Sequence, residues 1–149
     1  MKTRILIIAL VLLTGTVFAQ GSAPLSKGEK QLNFGLGASD HGLPVYAGVD
    51  FAFHNDWTAG PVIKLVLDDD TRFAALGRVD YHWNRLMEIP SNWDFYLGAN
   101  LGVLSGNGVD LNLGLQIGGR YYWSEKWGVN LEIGGGTGFD SAIGVSMKF

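Results

Sequence analysis

Cysteine is absent from the 149 residues. That excludes a disulfide framework, a thiolate metal site and lipidation on a cysteine. After residue 13 the chain has no apolar run long enough for a spanning helix, which needs about 20 residues. Helical periodicity is poor throughout. No G-x-S-x-G, H-E-x-x-H or phosphate-loop motif is present. Basic residues are outnumbered, 11 against 14 acidic, so nucleic acid is not an expected partner.

The amino end reads as a targeting segment. Lys2 and Arg4 precede the unbroken apolar run Ile5–Leu13, and Val17-Phe18-Ala19 suits a cleavage site. This is the pattern of a secretory signal peptide over residues 1–19; the run is short for an uncleaved anchor. A mature chain starting near Gln20 would be a single domain over residues 20–149. Without Lys2 and Arg4 it holds nine basic and 14 acidic residues, a formal charge of −5.

The rest of the chain alternates with a period of two. Eight segments are predicted as strands: 31–38, 45–53, 57–67, 73–83, 93–103, 111–123, 127–135 and 142–149. One face of each is apolar, as in Phe95, Leu97, Ala99, Leu101 and Val103. Pro61 is the awkward member, because it removes a ladder donor. The last segment ends on the aromatic Phe149. In water it would leave an apolar edge; in a closed transmembrane barrel it pairs with the first strand and faces lipid. The expected fold is all-β, an eight-stranded antiparallel up-and-down transmembrane barrel. A soluble, carrier-like barrel would turn its apolar faces inward.

Tryptophan supports this arrangement. With both termini in the periplasm, the turns on that side fall near 54–56, 84–92 and 124–126. Trp57, Trp83, Trp93, Trp123 and Trp127 flank those three turns, as expected of an aromatic girdle at a membrane interface. The opposite turns are short and acidic, carrying Asp40, Asp68, Asp69, Asp70, Asp110 and Asp140 against Arg72. Asp68-Asp69-Asp70 offers oxygen ligands that suit Mg²⁺ or Ca²⁺ and a bridge to lipopolysaccharide phosphates. No dedicated metal-site spacing accompanies them, and no cofactor is expected.

The second face of the strands predicts the lumen. It is rich in glycine and carries Asp50, Lys64, Arg78, Asp80, His82, Asp94, Arg120, Glu132 and Lys148, four cations and four anions beside a histidine. Eight strands enclose an interior that side chains alone can fill, so a plugged polar core is expected, with glycines making room for Tyr and Arg to lie across it. Turn positions place His82 opposite Asp94 and Asp94 opposite Arg120. That row reads either as a structural ion pair beside an imidazole or as a pH-sensitive gate, and a two-residue slip would dissolve it.

Gly77-Arg78-Val79-Asp80-Tyr81-His82-Trp83, the run Gly118–Trp123, the run Glu125–Glu132 and the terminal Gly144–Phe149 resemble the small outer-membrane β-barrel proteins of the OmpA/OmpX-like, porin-family type. The resemblance implies an outer-membrane location, contact with membrane lipid and lipopolysaccharide, a monomer, and a terminal strand whose Val145, Met147 and Phe149 are read by the barrel-assembly machinery. It does not extend to a peptidoglycan-binding domain or to the long loops of OmpX-type adhesins. Some barrels of this size modify lipid A, and Ser39-Asp40-His41 has residue types suited to acyl transfer. Three consecutive residues seldom form a relay, and a polar turn explains them. The expected role is therefore non-enzymatic, structural or surface-interacting, with a narrow pore as the alternative and no catalytic residue assigned.

Overall fold

The computed structural model describes residues 24–39, 42–67, 71–105, 108–134 and 141–149. The expected signal peptide lies outside the described residues, as do Asp40, His41, the triplet Asp68–Asp70 and Asp140. Eight strands follow in order: β1 (Lys30–Ala38), β2 (Leu43–His54), β3 (Trp57–Leu67), β4 (Arg72–His82), β5 (Trp93–Ser105), β6 (Val109–Tyr122), β7 (Trp127–Gly134) and β8 (Ser141–Lys148). Each pairs antiparallel with its neighbour, and β8 closes on β1 to complete the barrel. Closure leaves no unpaired sheet edge, the condition for strands to cross a bilayer.

The alternation in sequence becomes a partition in space. Outward positions are apolar: Leu111, Leu113 and Leu115 are each at least 70% exposed, and Leu97, Leu101, Leu131 and Ile143 stand out from the same wall. Inward positions are mostly polar and buried, including Gln31, Asp50, Asp80, Asp94, Gln116 and Arg120. This inverts the usual soluble pattern and matches a barrel whose solvent is hydrocarbon.

Several boundaries differ from expectation. β2, β5 and β6 run two residues further toward the loop end, so Asp110, expected in a turn, sits in β6 opposite Leu104. Ladder hydrogen bonds pull such flanking polar residues into strands. Pro61 stays inside β3, but the β2–β3 pairing skips from Gly48/Val62 to Phe51/Ala59, passing over it. Proline has no N–H to donate there.

Turns at the end bearing both termini are tied together. Arg85, in the β4–β5 turn, donates from Nε and Nη2 to the two carboxylate oxygens of Asp56 in the β2–β3 turn. This hydrogen-bonded guanidinium holds the Asp56 carboxyl below its ordinary value of 3.8. A depressed folded-state value contributes stability above the unfolded value, lost as the pH falls through the folded one. Arg85→Gln should therefore lower stability slightly at neutral pH, because the pair is exposed. The difference from wild type should begin to shrink as the pH falls below about 4 and vanish only below the folded-state value, as followed by urea unfolding across pH.

Candidate functional site

The buried charged side chains among the described residues converge in the lumen. β2, β5 and β6 send Asp50, Asp94 and Arg120 inward, and the Arg120 guanidinium bridges the two carboxylates. Its Nη1 donates to Asp94 Oδ2 at 2.9 Å and its Nη2 to Asp50 Oδ2 at 2.7 Å. All three side chains are at most 2% exposed. The other oxygen of Asp94 meets His82 Nδ1 at 2.7 Å, and His82 Nε2 lies 3.0 Å from Thr58 Oγ1. Asp50 Oδ2 also accepts from Asn33, itself bonded to Gln31 and Ser146.

A second cluster lies toward the loop end. Arg78 Nε donates to Asp80 Oδ2 at 2.7 Å, and its Nη2 reaches Glu132 Oε2 at 2.9 Å. Asp80 Oδ1 accepts from Gln116, whose carbonyl accepts from Asn100. Tyr96 joins the clusters: its ring lies 4.3 Å from the Arg120 guanidinium carbon and 5.4 Å from that of Arg78, and its hydroxyl donates to Glu132 at 2.9 Å. Asp50, Arg78, Asp80, Asp94 and Arg120 thus each meet an opposite charge, the condition for retaining ions out of water. Lys64 lies beside Arg78 and Glu132 around a cavity of about 10 Å³, room for about one water. Lys148 places its ammonium 4.1 Å from the centre of the Tyr122 ring.

Glycine makes the packing feasible. Tyr46 stands directly opposite Gly35, Tyr96 opposite Gly118 and Tyr122 opposite Gly128. A Cβ at Gly118 would collide with the Tyr96 ring and hydroxyl. The missing side chain lets the ring lie flat across the strand pair, so a narrow lumen holds both an aromatic and the adjacent guanidinium.

All nine charged or imidazole side chains read as a lumen set from sequence project inward, and Asp94 pairs with Arg120 in the expected register. His82 does not pair with Asp94. Its ladder partner is Tyr96, two residues along, because the 83–92 turn is wider than a symmetric estimate allows. The His82–Asp94 contact exists regardless, as a diagonal reach between inward side chains. Alternation also marks Gln31, Asn33, Thr58, Asn130 and Ser146 as inward, although charge drew attention away from them. The apolar cap at the loop end, with Pro44, Val62, Val66, Ala74 and Leu76 buried, was harder to find. β3 reads apolar on both faces there, which hides the inward one. Leu25, before β1, is also buried, its segment held where Gly28 N donates to Ala52 O and Lys27 N to Asn55 Oδ1.

All five tryptophans lie at the terminal end. Trp57 packs 5.0 Å from Tyr81, and Trp93 4.8 Å from Tyr121 and 5.7 Å from Phe95. Trp57, Trp123 and Trp127 are exposed, while Trp83 and Trp93 are half-buried. Val145 and Met147 face outward on β8, and Phe149 is 62% exposed beyond it. Among the described residues no group of three His, Asp or Glu side chains is arranged to hold a metal ion.

No family model and no curated protein matches the chain. Solved structures do. The N-terminal β-barrel domain of Pseudomonas aeruginosa OprF aligns with a TM-score of 0.67 at 11% identity, over 84% of this chain and 100% of that one. A de novo designed transmembrane β-barrel aligns at 0.65 and 16% identity, over 84% and 98%. The Yersinia pestis outer membrane protein Ail, in a phospholipid bilayer nanodisc, aligns at 0.52 and 12% identity, over 83% and 100%. At these identities the likeness is one of fold, and a designed barrel shares it as closely as natural ones do. The chain has the closed eight-stranded β-barrel fold that these transmembrane barrels share.

Proposed function

We propose that this protein is a small integral outer-membrane β-barrel with a structural or surface-interaction role in the cell envelope, acting without catalysis. The observation that carries the reading is the filled lumen. Arg78, Arg120 and Tyr96 occupy its middle, an apolar group caps its loop end, and the cavity between them holds about one water. A continuous water path is needed for ions to pass, and a dry apolar constriction opposes it. The likeness to Ail and the one-sided tryptophan belt support outer-membrane placement with the terminal end in the periplasm. Lipid and lipopolysaccharide are the proposed surroundings, and the protein is proposed to be a monomer.

The refolded protein should be electrically silent in planar bilayers while showing heat-modifiable gel mobility. A narrow pore is the second reading, favoured by the charged lining that Lys64, Arg78 and Glu132 give the cavity. Steady single-channel steps that change on Asp94→Ala would establish the pore and displace the structural role. A lipid A-modifying activity, the third reading, would appear as an altered lipid A mass on expression, lost in His41→Ala.

The terminal strand is proposed to be recognised during assembly. Phe149 donates its backbone N–H to Lys30 O, but its side chain points away from the barrel's polar interior and is largely exposed. Phe149→Ala should therefore refold normally in micelles, yet reach the outer membrane in cells at severalfold lower yield. Equal yields would remove Phe149 from an assembly role, and equal yields from Val145→Ala and Met147→Ala would remove those two residues.

A further inference from the structure

Arg78 and Asn100 stand directly opposite each other on β4 and β5 and point into the lumen. Their side chains are 8% and 4% exposed. Each carries one buried polar atom with no hydrogen-bonding partner among the described residues, the donor Arg78 Nη2 and the acceptor Asn100 Oδ1. The charge of Glu132 holds Arg78 Nη2 at 2.9 Å, but no hydrogen bond forms there. Buried polar groups are costly to leave in this state.

Both side chains line the same cavity of about 10 Å³, close to the volume that one water-sized sphere occupies. Val62, Leu76 and Ala142 form its apolar side, and Lys64 and Glu132 stand on its polar side. Tyr46 and Gln116 also reach it, but their polar atoms are engaged elsewhere. The Tyr46 hydroxyl donates to Asn130, and the Gln116 amide donates to Asp80 and accepts from Asn100.

We infer that this cavity is a binding site for one water molecule, which accepts from Arg78 Nη2 and donates to Asn100 Oδ1. The signs around the wall select water over an ion of similar size. A cation would meet Arg78 and Lys64; an anion would meet Glu132 and the Asn100 carbonyl. A water turns a lone pair to the donor and a proton to the acceptor, and two polar partners suffice to hold it. The apolar cap closes the site on one side. On the other, the Arg78 guanidinium carbon lies 5.4 Å from the centre of the Tyr96 ring. Long residence of this water rests on the closed lumen proposed above; its position does not.

Two measurements on the full refolded protein test the site. A crystal structure at a resolution that shows ordered water should place one water within hydrogen-bond distance of Arg78 Nη2 and Asn100 Oδ1. Growth in bromide in place of chloride should leave that peak without anomalous signal. A bromide peak would overturn water in favour of an anion, and no density would overturn the site. Oxygen-17 relaxation dispersion then counts long-lived internal waters. Ala142→Val, which adds two carbons to the apolar wall, should lower the count by one. Ala74→Val, buried in the same cap but away from the cavity, should leave it unchanged. Displacing the water strands Arg78 and Asn100, so Ala142→Val should also unfold at lower urea than Ala74→Val. A midpoint above wild type would mean that a dry hole had been filled, and would overturn the inference. If Ala142→Val does not fold, Val62→Ile fills the cavity from β3 with one added carbon and should also lower the count by one. A water seen at the site but exchanging too fast to be counted would support the site and overturn the closed lumen.

Discussion

Arg120→Ala is expected to destabilise the barrel by about 3–5 kcal/mol, the usual cost of removing one partner of a buried ion pair. Two carboxylates depend on this guanidinium. Asp50 and Asp94 are each at most 1% exposed and each accept from a different terminal nitrogen of Arg120. Without it both anions face each other across the lumen. Asp94 keeps His82, and Asp50 keeps the Asn33 amide, so the loss falls more heavily on Asp50. Arg120→Lys should recover only part of the stability, because an ammonium is a point charge and lacks the planar fork that spans two acceptors. Urea unfolding of the refolded protein in micelles measures the difference. A change below about 1 kcal/mol, the range of exposed pairs, would show that water penetrates the network and that the lumen is not sealed.

Gly118→Val is the second large effect. Overpacking a filled interior costs about 1–3 kcal/mol and sometimes more, and here the clash strikes the residue that joins the two charge clusters. Tyr96 would have to leave the strand pair, losing its hydrogen bond to Glu132 and its contact with the Arg120 guanidinium. Lower refolding yield and a lowered urea midpoint should appear together. Tyr96→Leu in the same chain should relieve part of the clash without restoring the polar link, so the double variant should be more stable than Gly118→Val alone and less stable than wild type. Additive losses would mean that the two positions do not share space.

The architecture was legible because lipid and lumen demand opposite chemistry on alternate residues. Leu111, Leu113, Leu115 and Ile117 alternate with Asn112, Gly114, Gln116 and Gly118, and only a strand places those sets on opposite faces. The tryptophans were legible for a similar reason: an amphipathic ring has a preferred depth, and depth in a meander is position relative to the turns. Inward direction was equally readable for Asp50, Arg78, Arg120 and Glu132.

Neighbours across the lumen could not be read in this way. Pairing of adjacent strands is set by turn length, and the 83–92 turn put Tyr96, not Asp94, opposite His82. Contacts between strands that do not adjoin, such as Arg120 of β6 with Asp50 of β2 or Tyr122 of β6 with Gln31 of β1, arise only when the sheet closes. Closure also decides that the lumen is narrow enough for those side chains to meet, and that Gly118 admits a ring inside. By itself the sequence determined which side chains face lipid and which face the interior, because a period of two is a local property of the chain. Which of the interior side chains touch was decided by the tertiary structure alone, because distance across a closed barrel depends on every register around its circumference.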